Sequence, residues 1–273
     1  MTDTPPLIEV QAADGIGRIR FNRPERMNAF NNELMIKTMA AVDELNRDDD
    51  VRAIVVSGNG RCFSAGFDLR AAAERDMSTV DKVRAQMGLQ FDFIIRFWES
   101  PKPTIAAVHG YCLAGAFELS LACDLTVAAN DATFGEPEVR FGTGAVAMLF
   151  PWVTGPKQAK EILLTGDDRI PAADALRMGL VNRLVPAGEV EATALSLAGK
   201  IAKASSVSVL KTKQAVNRSY EAMGMRQALA TGLDIDVEIN ATPSFEKQEF
   251  GRIRREQGLK AAIAWRDGRF KDA

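Results

Sequence analysis

Two carboxylates and a pair of glycine turns are the residues of this chain best placed to do chemistry. The stretch Gly110-Tyr111-Cys112-Leu113-Ala114-Gly115-Ala116-Phe117-Glu118-Leu119 follows a short apolar run, Thr104 to Val108, and leads into an apolar helical segment. A chain that passes from strand through glycine into helix leaves free backbone N–H groups at the helix start, and the helix dipole adds a preference for negative charge there. Glu118 stands one helical turn inside that start. An anion-holding backbone beside a carboxylate base provides the parts needed to make and protonate an enolate. Glu138, in Phe134-Gly135-Glu136-Pro137-Glu138, supplies a second carboxylate after a further strand candidate. A single glutamate early in a helix is commonly only a dipole partner, and Glu138 by itself reads as an ordinary loop carboxylate. The case for chemistry rests on the combination.

The elements that position these residues alternate. Leu7 to Gln11 and Gly15 to Phe21 read as strands joined at Asp14-Gly15, a hairpin signal. Asn31 or Asn32 caps a helix with an apolar stripe at Leu34, Met35, Met39, Val42 and Leu45. Val51 to Ser57 is a buried-strand run. A second helical stripe, Val80, Val83, Met87, Phe91, Ile94 and Trp98, closes at Ser100-Pro101-Lys102-Pro103. Thr104 to Val108, Leu125 to Ala129 and Leu180 to Val185 complete the strand candidates. Pro156 and Pro171 read as first-turn helix prolines, with stops at Gly166 and Gly179. Strands alternating with helices indicate an α/β fold with parallel pairing. From Glu189 onward the pattern is almost wholly helical, which sets the expected division at residues 1–199 and 200–273. The segment Gly251 to Phe270 is amphipathic and reads either as a solvated helix or as one that meets a neighbouring subunit.

Composition narrows the function. The chain has 273 residues, 47% of them hydrophobic and 26% charged, with a formal net charge of −2. That balance gives no electrostatic reason to expect nucleic acid, and no apolar run approaches the ~20 residues of a membrane helix. The first residues carry neither a basic region nor an apolar core, so no signal peptide is read there. Cys62, Cys112 and Cys123 have no metal-ligand spacing, and an odd count argues against a disulfide framework, pointing to a reducing cytoplasm. The only histidine, His109, excludes mechanisms that need two and reads as structural; no metal site is expected. Gly142-Thr143-Gly144-Ala145-Val146-Ala147 matches a degenerate dinucleotide fingerprint but lacks the strand–helix placement that motif requires.

Four segments, in order, carry a resemblance: Asn22-Arg23-Pro24-Glu25-Arg26-Met27-Asn28-Ala29, then Ser64-Ala65-Gly66-Phe67-Asp68-Leu69, then Gly110 to Glu118, then Phe134 to Glu138. Together they resemble the crotonase superfamily, the enoyl-CoA hydratase/isomerase family, over roughly Ile8 to Phe270. The resemblance implies a spiral core of repeated ββα units with a C-terminal helical region, and homotrimers, often paired into hexamers. It implies an acyl-CoA substrate, with coenzyme A as part of that substrate and no separate cofactor. The thioester oxygen would lie in an oxyanion hole made by the backbone N–H groups of Phe67 and Gly115. Glu118 would act on water, and Glu138 would be the acid/base at Cα. Ala65, Asp68, Leu69 and Arg26 would border the coenzyme, with Arg26 ranked above Arg266, Arg269 and Lys271 for its phosphates. Asp68 also reads as the cap of the helix entered at Leu69.

Retention of both glutamates favours hydration; isomerases of the family often keep one. An enoyl-CoA isomerase, or a hydratase-lyase acting on an aromatic acyl-CoA, is the alternative. A weakly catalytic acyl-CoA- or RNA-binding relative is the alternative of another class. The chain departs from the family pattern at Ala114-Gly115-Ala116, where a triple glycine is typical. It departs again after Glu138, where Phe141, Val146 and Met148 replace small residues and are expected to shape the acyl pocket.

Overall fold

A computed structural model describes residues 5–271. Among the described residues, nine strands lie in two sheets: β1 (Ile8–Ala13), β2 (Ile16–Phe21), β3 (Ala53–Gly58), β4 (Thr104–Val108), β5 (Tyr111–Leu113), β6 (Leu125–Ala129), β7 (Thr133–Gly135), β8 (Ile170–Pro171) and β9 (Arg183–Val185). The larger sheet has the order β1-β2-β3-β4-β6-β9, and the smaller has the order β5-β7-β8. The β1–β2 hairpin turns at Asp14 and Gly15, both with positive φ (54° and 78°), the backbone of a tight primed turn. Every other neighbouring pair in the larger sheet is parallel.

The chain climbs as a spiral. It runs through β4 in the first sheet and β5 in the second, then a helix, then β6 and β7 in the same two sheets. The loop after β3 joins the second layer through a parallel bridge between Ser64 and Cys112. This is the repeated ββα architecture that the family resemblance implies. The strands β5, β7 and β8 are absent from the sequence reading, which carries the chain straight from Gly110 into helix. Two or three residues are too short to show a period-2 pattern.

The helices follow from their caps. α1 (Asn32–Arg47) starts at Asn31, whose side chain accepts from Leu34 N–H. α2 (Leu69–Glu74) starts at Asp68, which accepts from Arg70 and Ala71 N–H. α3 (Val80–Glu99) packs on α1 and on α4 (Gly115–Ala122). All eight residues of α4 are buried, so it forms the centre of the molecule rather than an amphipathic surface helix. Phe117 on α4 contacts Phe134 and Phe150, with ring centroids 5.1 Å apart in both cases. The strands β3 and β4 are almost continuously buried, as parallel strands covered on both faces must be.

Beyond β7 come α5 (Phe150–Val153), α6 (Pro156–Thr165) and α7 (Ala172–Arg177); α6 ends at Gly166 in the left-handed region, φ 64°. α8 (Val190–Lys203) lays Val190, Ala194 and Ala198 against β3, β4 and β6. α9 (Ser206–Ala222) is tied to the core by Lys213, whose ammonium lies 2.6 Å from Asp124 Oδ2. α10 (Met225–Ala241) packs on α3. The amphipathic tail breaks at Gly258, φ 90°, into α11 (Phe245–Gln257) and α12 (Leu259–Gly268). These two fold back on their own chain, burying Phe250, Ile253 and Ala262 against Leu69 and Phe141.

Candidate active site

Asn28 organises the first wall. Fully buried, its Nδ2 donates to the carbonyls of Asn59, Cys62 and Phe63 at 2.8–3.1 Å, and its Oδ1 accepts from Arg23 N–H. Ser64 Oγ donates to Asn28 O and accepts from Gly66 N–H. Ser64 N–H in turn donates to Tyr111 O, and Leu113 N–H donates to Ser64 O. The 62–66 loop is thereby laid along β5. Asp68, beyond it, pairs with Arg23 at 3.1 Å while capping α2; these contacts hold its carboxyl below the usual carboxylate range against the opposing effect of burial.

The two loops touch at Gly66. A β-carbon there would lie 2.5 Å from Leu113 O and 3.3 Å from Gly115 N, so only glycine admits the approach, and its φ of 83° favours glycine as well. This contact sets the 66–67 and 114–115 peptides side by side. Among the described residues, neither Phe67 N–H nor Gly115 N–H donates a hydrogen bond within the chain. Gly115 is the first residue of α4, so its N–H is an orphan of the helix start. Ala114, just before it, is a non-glycine residue at φ 57°, pinned by its N–H to Gly135 O at 2.8 Å.

The carboxylates lie on α4 and on the turn that follows β7. Glu118 is fully buried; its Oε1 accepts from Val146 N–H at 3.2 Å, and its Oε2 from Ala147 N–H. Burial and the charge of Glu138 push its pKa well up, against the pull of those two N–H groups. Glu138 opens a short 3-10 turn, Glu138–Phe141, closed by Gly142 at φ 77°. Its Oε2 is out of solvent and has no partner, and burial raises its pKa to about 7. Carboxylates this close cannot all ionise at neutral pH, and environments that split their proton affinities create an acid beside a base.

Two acids that the sequence reading left out join them. Glu136 is 1% exposed, with neither carboxyl oxygen partnered. Asp236 reaches in from α10, accepting from Gly144 N–H and from Asn240 Nδ2 at 2.8 Å. Burial pushes the pKa of Asp236 up to about 7. Nothing in the neighbouring residues singles out Glu136 within Phe134–Glu138, and Asp236 is about a hundred residues away on a helix whose facing partner only the fold reveals.

The other expected residues divide. Ala65 and Leu69 are half-buried beside the Gly66 turn, and Arg26 is exposed at the end of the Pro24–Arg26 turn. Val146 is buried and Met148 packs against Gly232 of α10, both on the segment whose N–H groups hold Glu118. Phe141 turns the other way. Its ring meets Phe250 edge-on at 5.0 Å and lies under the Arg266 guanidinium, inside the cluster beneath α11 and α12. It is thus held among packing residues rather than with Val146 and Met148, because the 3-10 turn reverses the chain after Glu138. Arg266, a low-ranked candidate for coenzyme phosphates, is 8% exposed and engaged with Asp168 and Asp267. His109 binds Gly60 O through Nε2 at 2.9 Å, and the three cysteines are buried and free. Among the described residues, no group of His, Cys, Asp and Glu is arranged to hold a metal, and no helix is long and apolar enough to cross a membrane.

The fold is an α/β spiral that holds two backbone N–H groups unused among the described residues, at Phe67 and Gly115, and a group of carboxylates withdrawn from solvent. The chain belongs to the enoyl-CoA hydratase/isomerase family, whose sequence profile matches residues 11–258. It is similar to an enoyl-CoA hydratase/isomerase structure from Xanthobacter autotrophicus Py2, with TM-score 0.95 and 48% identity over 97% of this chain and 99% of that one. An enoyl-CoA hydratase structure from Mycobacterium smegmatis superposes with TM-score 0.88 at 29% identity, covering 97% of this chain and 94% of that one. The short-chain-enoyl-CoA hydratase of Clostridium acetobutylicum is 32% identical over 90% of this chain and 88% of its own.

Proposed function

We propose that this enzyme is an enoyl-CoA hydratase that adds water syn across the Cα–Cβ double bond of a 2-enoyl-CoA. The reading is supported by the unused Phe67 and Gly115 N–H groups on adjoining peptides and by Glu118, on the helix that Gly115 opens, lying close enough to Glu138 for their charges to interact. Glu118 takes a proton from water as the water oxygen bonds to Cβ. The π electrons move onto the thioester oxygen, where the two N–H groups hold the developing charge, a contribution of ~3–4 kcal/mol per donor. The enolate then collapses, and Cα takes a proton from Glu138. The product is a 3-hydroxyacyl-CoA, and the isomerase alternative is not favoured.

Coenzyme A enters as part of the substrate, with exposed Arg26 facing its phosphates and no further cofactor required. The enzyme works in the cytoplasm as a homotrimer or dimer of trimers. Exposed Val207 and Val216 on α9, with Met223 just after it, support association of copies. A panel of short, long and aromatic enoyl-CoA thioesters tests the activity. Loss of enoyl absorbance with a product heavier by one water is expected. No loss on any thioester, or a shifted double bond at unchanged mass, overturns the reading.

A further inference from the structure

Glu136 sits at the centre of the carboxylate group without a part in the reaction just described. Its backbone cannot move aside. Its N–H donates to Asp167 O at 2.8 Å, and Gly135 before it is so close to Asp168 that a β-carbon would lie 2.3 Å from Asp168 Cα. Pro137 follows it. The side chain is therefore fixed in the interior, 1% exposed, with neither oxygen accepting a hydrogen bond from any described donor. An ionised carboxylate in that state carries the full penalty of a buried unpaired charge. Its carboxyl lies within hydrogen-bonding reach of Glu138, whose Oε2 is also buried and unpartnered. One O–H between them satisfies an orphaned oxygen on each side.

The geometry points to Glu136 as a positioning residue that keeps its own proton through the reaction and donates its O–H to one oxygen of Glu138. The other Glu138 oxygen is then left to exchange a proton with Cα. This rests on the reading of Glu138 as the Cα acid/base. In the step itself, the enolate electron pair forms the Cα–H bond, the proton leaves Glu138, and the new Glu138 carboxylate is held by the Glu136 O–H. The groups facing this pair allow it. Glu118 on α4, Cys112 on β5 and Asp236 on α10 supply negative or neutral neighbours. A cation near Glu138, Arg266 on α12, is taken up by Asp168 and Asp267, and Asp168 is further paired with Arg140. Burial and the charges of Glu138 and Glu118 raise the pKa of Glu136 well above the ordinary carboxyl range.

The test compares Glu136→Gln with Glu136→Leu through the pH profile of hydration. Glutamine keeps a donor and cannot ionise. Its kcat/KM should stay within about tenfold of wild type, with the alkaline limb in place. Leucine removes the donor from the Glu138 carboxylate, so that limb should move up by about one to two pH units. A limb that moves down in Glu136→Gln would mean that Glu136 is ionised in the wild type, and this overturns the proposal. A wild-type profile in Glu136→Leu would mean that Glu136 only fills space, and this overturns it equally. Infrared difference spectra give a readout independent of turnover, in case the leucine variant does not fold. The wild-type minus Glu136→Gln difference at neutral pH should show one protonated-carboxyl C=O stretch lost, over the bands that the other acids keep; no such difference overturns the proposal. Wild-type enzyme inert on every thioester instead overturns the hydratase reading, and the infrared result stands apart from it.

Discussion

The Phe67 ring lies directly on Gly115: a β-carbon at Gly115 would come within 2.4 Å of Phe67 Cε2 and Cζ. The two residues whose N–H groups form the expected oxyanion hole are therefore also packed against each other through a side chain. Phe30 backs the Phe67 ring edge-on at 6.3 Å. The resemblance gives residue 67 a role only through its backbone N–H. The structure makes its ring the floor that requires glycine at 115.

That packing sets the first prediction. Gly115→Pro should lower kcat by roughly 10²–10³-fold, because the N–H itself is removed. Phe67→Ala should keep substantial activity, since its backbone donor survives. Gly115→Ala should be impaired on its own and partly rescued by Phe67→Ala, with a coupling of ~0.5–3 kcal/mol in a double-mutant cycle. Additive effects would show that the ring is not what excludes a β-carbon.

Glu118→Gln and Glu138→Gln should each reduce hydration by roughly 10²–10⁴-fold, the usual contribution of a positioned acid or base. Binding of a saturated acyl-CoA, followed by calorimetry, should change little. Near-wild-type turnover in both would remove these residues from the chemistry.

The pH behaviour follows from the sign of the shifts. Hydration needs Glu138 protonated and Glu118 ionised, so kcat/KM should carry an alkaline limb near pH 7 from Glu138 and an acid limb from Glu118, whose proton affinity burial also raises. Stability follows the sense of the alkaline limb. Asp236 binds its proton more tightly folded, at about 7, than at the ordinary 3.8. Its contribution is complete below the unfolded value and is lost as pH rises through the folded one. Melting temperatures of wild type and Asp236→Asn should therefore differ in slope between about pH 4 and pH 7, with wild type falling relative to the variant. Parallel curves would contradict the buried, protonated state of Asp236.

The pocket residues should separate by where their side chains pack. Met148→Ala should shift the kcat/KM profile towards longer or bulkier acyl-CoAs, in a graded way, because each methylene is worth only ~1–3 kcal/mol. Phe141→Ala should lower stability by about 3 kcal/mol with the chain-length profile unchanged, since its ring supports α11 and α12. A length shift in Phe141→Ala would return that residue to the acyl pocket.

Local chemistry was readable along the chain. The Asp14-Gly15 turn, the Asn31 and Asp68 caps, the stop at Gly166 and the buried runs of β3 and β4 are written in neighbouring residues, because capping, positive φ and strand burial act over a few positions. So were the four ordered segments that contain Gly115, Glu118 and Glu138. The tertiary structure decided the rest. Strands of two or three residues in the second sheet have no periodicity to read, yet they bring Gly66 onto Gly115 and Gly135 onto Asp168. Asp236 enters the site from α10, and Glu136 turns inward with nothing to bind but another acid. Phe141 packs on Phe250 beneath α11 and α12. A carboxyl's proton affinity depends on solvent exclusion and on the charges brought around it, and both are set by contacts between segments far apart in sequence.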